Sequence, residues 1–117
     1  MLHAPAHPAH PDRARGQDNV ARLESARDAR GRAIDVVRFD TGGTRGIAYL
    51  NLYLCNGGVV VPVAGDEHDE AAVAAIAELY PGRQIATVHA AELFTYGGGG
   101  PHCITQQVPR GRPVPHA

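Results

Sequence analysis

Neither sign of charge predominates in this sequence. Eleven basic residues against twelve acidic ones leave a net charge of -1, too small a field to favour nucleic acid or an anionic membrane surface. No apolar run approaches the length of a membrane span. The first residues, MLHAPAHPAHPDR, lack the basic segment followed by an apolar stretch that marks a secretory signal. Cysteine occurs only twice, at Cys55 and Cys103, which excludes a disulfide framework and points to a cytoplasmic, thiol-reduced protein. Tryptophan and lysine are absent. The abundance of Ala, Arg, Gly and Pro beside that absence reflects a GC-rich coding sequence and says nothing of function.

With 117 residues, 44% of them apolar, the chain has material for at most one compact domain. Pro5, Pro8 and Pro11 alternate with His3, His7 and His10. The prolines oppose helical spacing of the histidines, so residues 1–16 are expected to form a disordered tail with no metal site. A short helix is predicted next, capped by Asp18, striped by Val20 and Leu23, and stopped at Gly31. Ile34 to Phe39 has the composition of a strand, and DTGGTRG that of a turn.

IAYLNLYLCNGGVVVPV predicts two strands joined at Asn56-Gly57-Gly58. Alternation along the first would place Tyr49, Asn51 and Tyr53 opposite Leu50, Leu52 and Leu54. GDEHDEAAVAAIAELYPGR predicts the longest helix, capped by Asp66 and ended by Pro81-Gly82. Its acidic cluster, Asp66, Glu67, Asp69 and Glu70, is explained by capping and the helix dipole. QIATVHA predicts a strand, AELFTY one helical turn, and HCITQQV a final strand. The order α-β-β-β-α-β-β contains a ββαβ unit and defines an α/β fold. RGRPVPHA, residues 110–117, is expected to be a second loose tail.

Chemistry concentrates in YGGGGPHCITQQVP, residues 96–109. Four glycines allow close backbone approach to a ligand. Cys103 behind them is a candidate nucleophile, provided a neighbour favours its thiolate; the alternative is a small buried hydrophobe. In a strand the adjacent His102 would face away from Cys103, leaving His89 and His68 as other histidines of the body. Cys55 fits packing or turn chemistry. No Lys-Ser/Thr follows the glycines, so they are not a phosphate loop.

AYLNLYLCNGGVVVPVAGDEHDEAAVAAIAELYPGRQIATVHAAELFTYGGGGPHCITQQVP resembles the C-terminal part of agmatine deiminase, in the bacterial-type peptidylarginine deiminase family. The resemblance covers residues 17–109, and the closing HCITQQ segment is its most specific part. It implies a partial pentein (α/β propeller) fold, about one ββαβ module plus a flanking helix and strands. It implies that Cys103 is the catalytic nucleophile, with Gly97, Gly98, Gly99 and His102 forming the substrate loop. The implied reaction converts agmatine to N-carbamoylputrescine and ammonia, a step toward putrescine, without metal or organic cofactor.

The proton-shuttling histidine and the guanidinium-gripping carboxylates of the family belong to modules upstream, and no GH-x-D-like segment supplies them here. The expectation is a weakly active or inactive fragment that self-associates or joins a complementary N-terminal piece. The other reading is a noncatalytic remnant or binding module for a guanidino compound or a partner chain. Gly100 and Pro101 stand where the family has Asn and Ile, Ala48 replaces its Ser, and the loop at DTGGTRG is shorter. Asn51, Tyr53 and Asn56 match it and are read as framework.

Overall fold

The computed structural model describes residues 1–40, 48–108 and 111. The turn expected at DTGGTRG and, apart from Gly111, the tail expected at 110–117 lie outside the described residues, Asp40 excepted. Five strands and two helices follow in the order β1 (Leu2–His3), α1 (Arg13–Ser25), β2 (Arg38–Phe39), β3 (Tyr53–Cys55), β4 (Gly58–Val63), α2 (Asp69–Leu79) and β5 (Gln84–His89). A π-helical turn, Leu93–Gly97, and a 3-10 turn, Pro101–Ile104, come last.

The disordered tail expected at residues 1–16 is instead built into the structure. β1 runs parallel to β2, with Leu2 opposite Arg38 and His3 opposite Phe39. The N–H groups of Leu2 and Ala4 donate to Val37 and Phe39 carbonyls at 2.9 Å. α1 begins at Arg13 rather than behind Asp18, and Asp18 pairs along the helix with Arg22 at 2.7 Å. The helix stops at Ser25, where Ala26 turns extended. Gly31, expected as its stop, lies in a later turn at φ 76°, held by the Asp28 carboxylate, which accepts from Arg30 and Arg32 N–H. The strand expected over Ile34–Phe39 contracts to β2.

β4 is the centre of a three-stranded sheet, antiparallel to β3 and parallel to β5. The hairpin expected at NGG is present. Cys55 pairs with Gly58, and Gly57 occupies the left-handed region at φ 75° that the tight turn requires. Arg83 ties this hairpin to the start of β5: its guanidinium donates to the Cys55 carbonyl at 2.6 Å. Arg83→Ala is expected to cost about 1 kcal/mol, the usual worth of such a hydrogen bond, seen as a lower urea midpoint with unchanged slope.

Val59 and Val61 of β4 pack with Ala72 and Ile76 of α2, and with Phe39, Tyr49 and Leu52, as the core. The helix stripe and the strand alternation therefore meet face to face, as their sequence periods require. The alternation expected from Tyr49 to Leu54 begins only at Tyr53. Residues 49–51 form a turn, with Asn51 N–H on the Ala48 carbonyl at 2.7 Å, so Tyr49 and Leu52 are both buried while Leu54 is exposed.

α2 opens at Asp69 behind His68 and ends before Pro81-Gly82. The cap expected of Asp66 is divided. The Asp66 carboxylate accepts from His68 N–H, whereas Asp69 reaches back to Ala64, Gly65 and Asp66 N–H and to the Tyr49 hydroxyl. β5 lies at the sheet edge with Val88 exposed. Among the described residues no helix is long and apolar enough to cross a membrane.

Candidate active site around Cys103

The chain leaves β5 at Ala90, whose N–H donates to the Val63 carbonyl at 2.9 Å. It then winds through the π-helical turn into the glycines. Gly97 closes that turn, and a side chain there would meet nothing within 4 Å. Gly98 takes φ 70°. At Gly99 a Cβ would sit 3.3 Å from the Cys103 sulfur. Gly100 has the least room of the four: a Cβ would run into the Phe94 ring and come within 2.8 Å of Asn51 Oδ1.

The strand expected from His102 onward is a 3-10 turn. Pro101 stands at its first position, where a missing N–H costs nothing and a fixed φ is already helical. Cys103 N–H donates to the Gly100 carbonyl at 3.0 Å, and the Thr105 hydroxyl closes the turn on the Pro101 carbonyl at 2.8 Å. Adjacent side chains in a 3-10 turn are separated by about a third of a revolution. His102 and Cys103 thus diverge as they would in a strand, for a different reason. The His102 side chain borders a cleft of about 240 Å³ walled by Leu50, Leu52, Leu54 and Tyr80.

Cys103 is exposed, and Cys55 is half-buried; both are free thiols. The side chain that reaches Cys103 is Asn51, whose Nδ2 donates to Sγ at 3.0 Å. Together with a hydrogen bond from the Gly100 backbone, Asn51 holds the thiol below the ordinary cysteine range, against a smaller opposing effect of desolvation. Asn51 was legible only as framework. The signal was a two-sided amide, donor and acceptor on one short side chain, set among leucines and tyrosines that pack.

Among the described residues, His89, His68, His3 and His10 lie in other contacts. His89 Nε2 donates to the Ala64 carbonyl at 2.7 Å, and His68 precedes α2 beside Glu67. His3 and His10 rings meet edge to face at 5.3 Å. Among the described residues no group of three His, Cys, Asp or Glu side chains could hold a metal ion.

The exposed Cys103 thiol thus stands at the end of a glycine run that follows a ββαβ unit. A family model described as Porphyromonas-type peptidyl-arginine deiminase matches residues 1–109. The chain belongs to that family. Proteins of Streptomyces coelicolor and Streptomyces avermitilis, each named "Putative agmatine deiminase", are 41% identical to it over 94% of its length. The solved structure described as agmatine deiminase of Enterococcus faecalis catalyzing its reaction superposes with a TM-score of 0.78 at 30% identity, over 92% of this chain.

The alignments use 34% of each Streptomyces protein and 36% of the Enterococcus chain. This peptidyl-arginine deiminase family member therefore spans about a third of the length of its curated relatives, and its fold is part of a pentein. The family match also includes residues 1–16, in agreement with the pairing of β1 to β2.

Proposed function

We propose that this chain carries the nucleophile of an agmatine deiminase-like amidine hydrolase, and that Cys103 is that nucleophile. The observation that carries the reading is the exposed Cys103 sulfur hydrogen-bonded by Asn51 at the end of the glycine loop, in a chain whose relatives are named for agmatine.

The thiolate attacks the guanidinium carbon and forms a C–S bond. The tetrahedral adduct collapses with cleavage of a C–N bond, and the nitrogen leaves as ammonia after taking a proton. Water then adds to the thiouronium carbon and loses its protons, and the C–S bond breaks. The products are the ureido compound, N-carbamoylputrescine from agmatine, and the regenerated thiolate. Positive charge on the substrate favours the anionic sulfur. Gly97, Gly98, Gly99 and His102 would bring the loop against the substrate.

Proton transfer to ammonia and activation of water are assigned to a histidine and carboxylates of an N-terminal piece, which this C-terminal-type segment would complete. The reaction would serve putrescine formation in a reducing, cytoplasmic setting, where the thiol stays free.

The test is an assay of ureido product from agmatine. It uses this chain alone, and coexpressed with the remaining two-thirds of the Streptomyces coelicolor relative. Product from the purified complex, lost in Cys103→Ala, is the expected result. Product that persists in Cys103→Ala, or a stable complex with no product, would overturn the reading. The isolated chain is expected to be inactive or nearly so, because members of a catalytic group act as a unit.

A further inference from the structure

Asn51 lies in the turn before β3, about fifty positions from the catalytic loop in sequence, yet all three of its polar atoms available to that loop are used by it. Nδ2 donates to Cys103 Sγ at 3.0 Å. Oδ1 accepts the His102 N–H at 2.9 Å, and the Asn51 main-chain carbonyl lies 3.2 Å from the same nitrogen. Gly100 passes so near that a Cβ would come within 2.8 Å of Oδ1.

We propose that Asn51 is the positioning residue of the nucleophile: its amide oxygen pins the 3-10 turn to the sheet while its amide nitrogen holds the sulfur and favours its anionic form. The inference rests on the reading of Cys103 as nucleophile given above.

The geometry separates the two tasks. A donor 3.0 Å from sulfur stabilises a thiolate more than a thiol, because a hydrogen bond to an ion is about twice as strong as one between neutral groups. The lowered thiol pKa has this contact as its largest cause. The turn itself is held twice, once by side chain and once by main chain. Substituting Asn51 therefore leaves one anchor in place, and the sulfur loses its only side-chain donor among the described residues.

Asn51→Asp sharpens the point. It keeps an oxygen for His102 N–H and sets a negative charge beside the sulfur.

The experiment is alkylation of the full chain by iodoacetamide across a pH series, with the Cys103 peptide quantified by mass spectrometry and folding checked by a cooperative urea transition. At neutral pH the Cys103 rate is expected to fall several-fold in Asn51→Ala and about tenfold or more in Asn51→Asp, the size expected when a hydrogen bond to a charged group is lost or replaced by repulsion. In both, the midpoint of the pH profile moves up.

Folded variants with the wild-type rate and midpoint would overturn the proposal. If neither variant folds, wild type decides: a Cys103 midpoint no lower in the folded chain than in the urea-unfolded chain overturns it, and a lower one sustains it. The readout needs no substrate. An intact alkylation result with no ureido product would count against the hydrolase reading alone.

Discussion

Gly100→Ala is expected to dislodge the loop that carries Cys103. The backbone of Gly100 is extended, so the objection is not conformational strain. It is space. The new methyl would overlap the Phe94 ring, which packs on the core, and press on Asn51 Oδ1. Neither neighbour is a loose chain end: one packs against the core and the other holds the His102 N–H. Overpacking of this kind costs about 1–3 kcal/mol, and the loop can relieve it by leaving the sheet. Urea denaturation should then show the loss of stability, and Cys103 alkylation at neutral pH should slow by about tenfold as the Asn51 hydrogen bond is broken. Gly99→Ala should act more mildly, through a 3.3 Å approach to the sulfur, and Gly97→Ala should be silent, since nothing lies within 4 Å. Equal effects at all three positions would mean that the loop needs glycine for flexibility rather than for close packing.

Asp69→Ala should be the most destabilising single change outside the apolar core. One carboxylate accepts Ala64, Gly65 and Asp66 N–H at 2.9, 2.6 and 3.1 Å, and the Tyr49 hydroxyl at 2.8 Å. Tyr49 is 1% exposed, so its hydroxyl has little water to turn to. Removing the acceptor takes a partner from all four donors, and the expected loss is about 2–4 kcal/mol.

The same contacts fix the pH dependence. Partial burial raises the Asp69 pKa, and the hydrogen bonds from Ala64, Tyr49, Gly65 and Asp66 outweigh it, so the folded value lies below the unfolded one. The unfolded chain therefore binds the proton more tightly. The contribution of Asp69 is fully present above the ordinary aspartate range, near pH 4, and is lost as pH falls through the depressed folded value. Wild type should lose stability over that acid interval, and Asp69→Ala should lose correspondingly less. Parallel acid limbs for the two proteins would show that the charge on Asp69 is not what holds the network. Tyr49, pushed up by burial and then by its bond to Asp69, stays neutral throughout.

What could be read in the sequence follows from how far apart the interacting residues are. The NGG hairpin and the Pro81-Gly82 stop are decided by neighbours within a few positions, and both stand where expected. Leu2 and His3 gave no sign of a strand because their partners lie 36 residues away. HCITQQV was expected to be a strand, but Pro101 and the Thr105 hydroxyl impose a 3-10 turn over Pro101–Ile104. Cys103 could be singled out as a candidate because its glycine loop is local. The role proposed for Asn51 could not, because its amide and the sulfur belong to residues 52 positions apart.

That separation also sets an order of events as the chain folds. The hairpin joins residues three positions apart, while the contact of Asn51 with Cys103 joins residues 52 positions apart, and long closures carry the larger entropic cost and come late. Until the sheet is assembled and the glycine loop has returned to it, Cys103 is an ordinary thiol, mostly protonated at neutral pH. On the proposed reading of Cys103 as nucleophile, a nascent or partly folded chain would thus be shielded from indiscriminate alkylation and oxidation by its own incompleteness. On that reading, reactivity arrives with the fold.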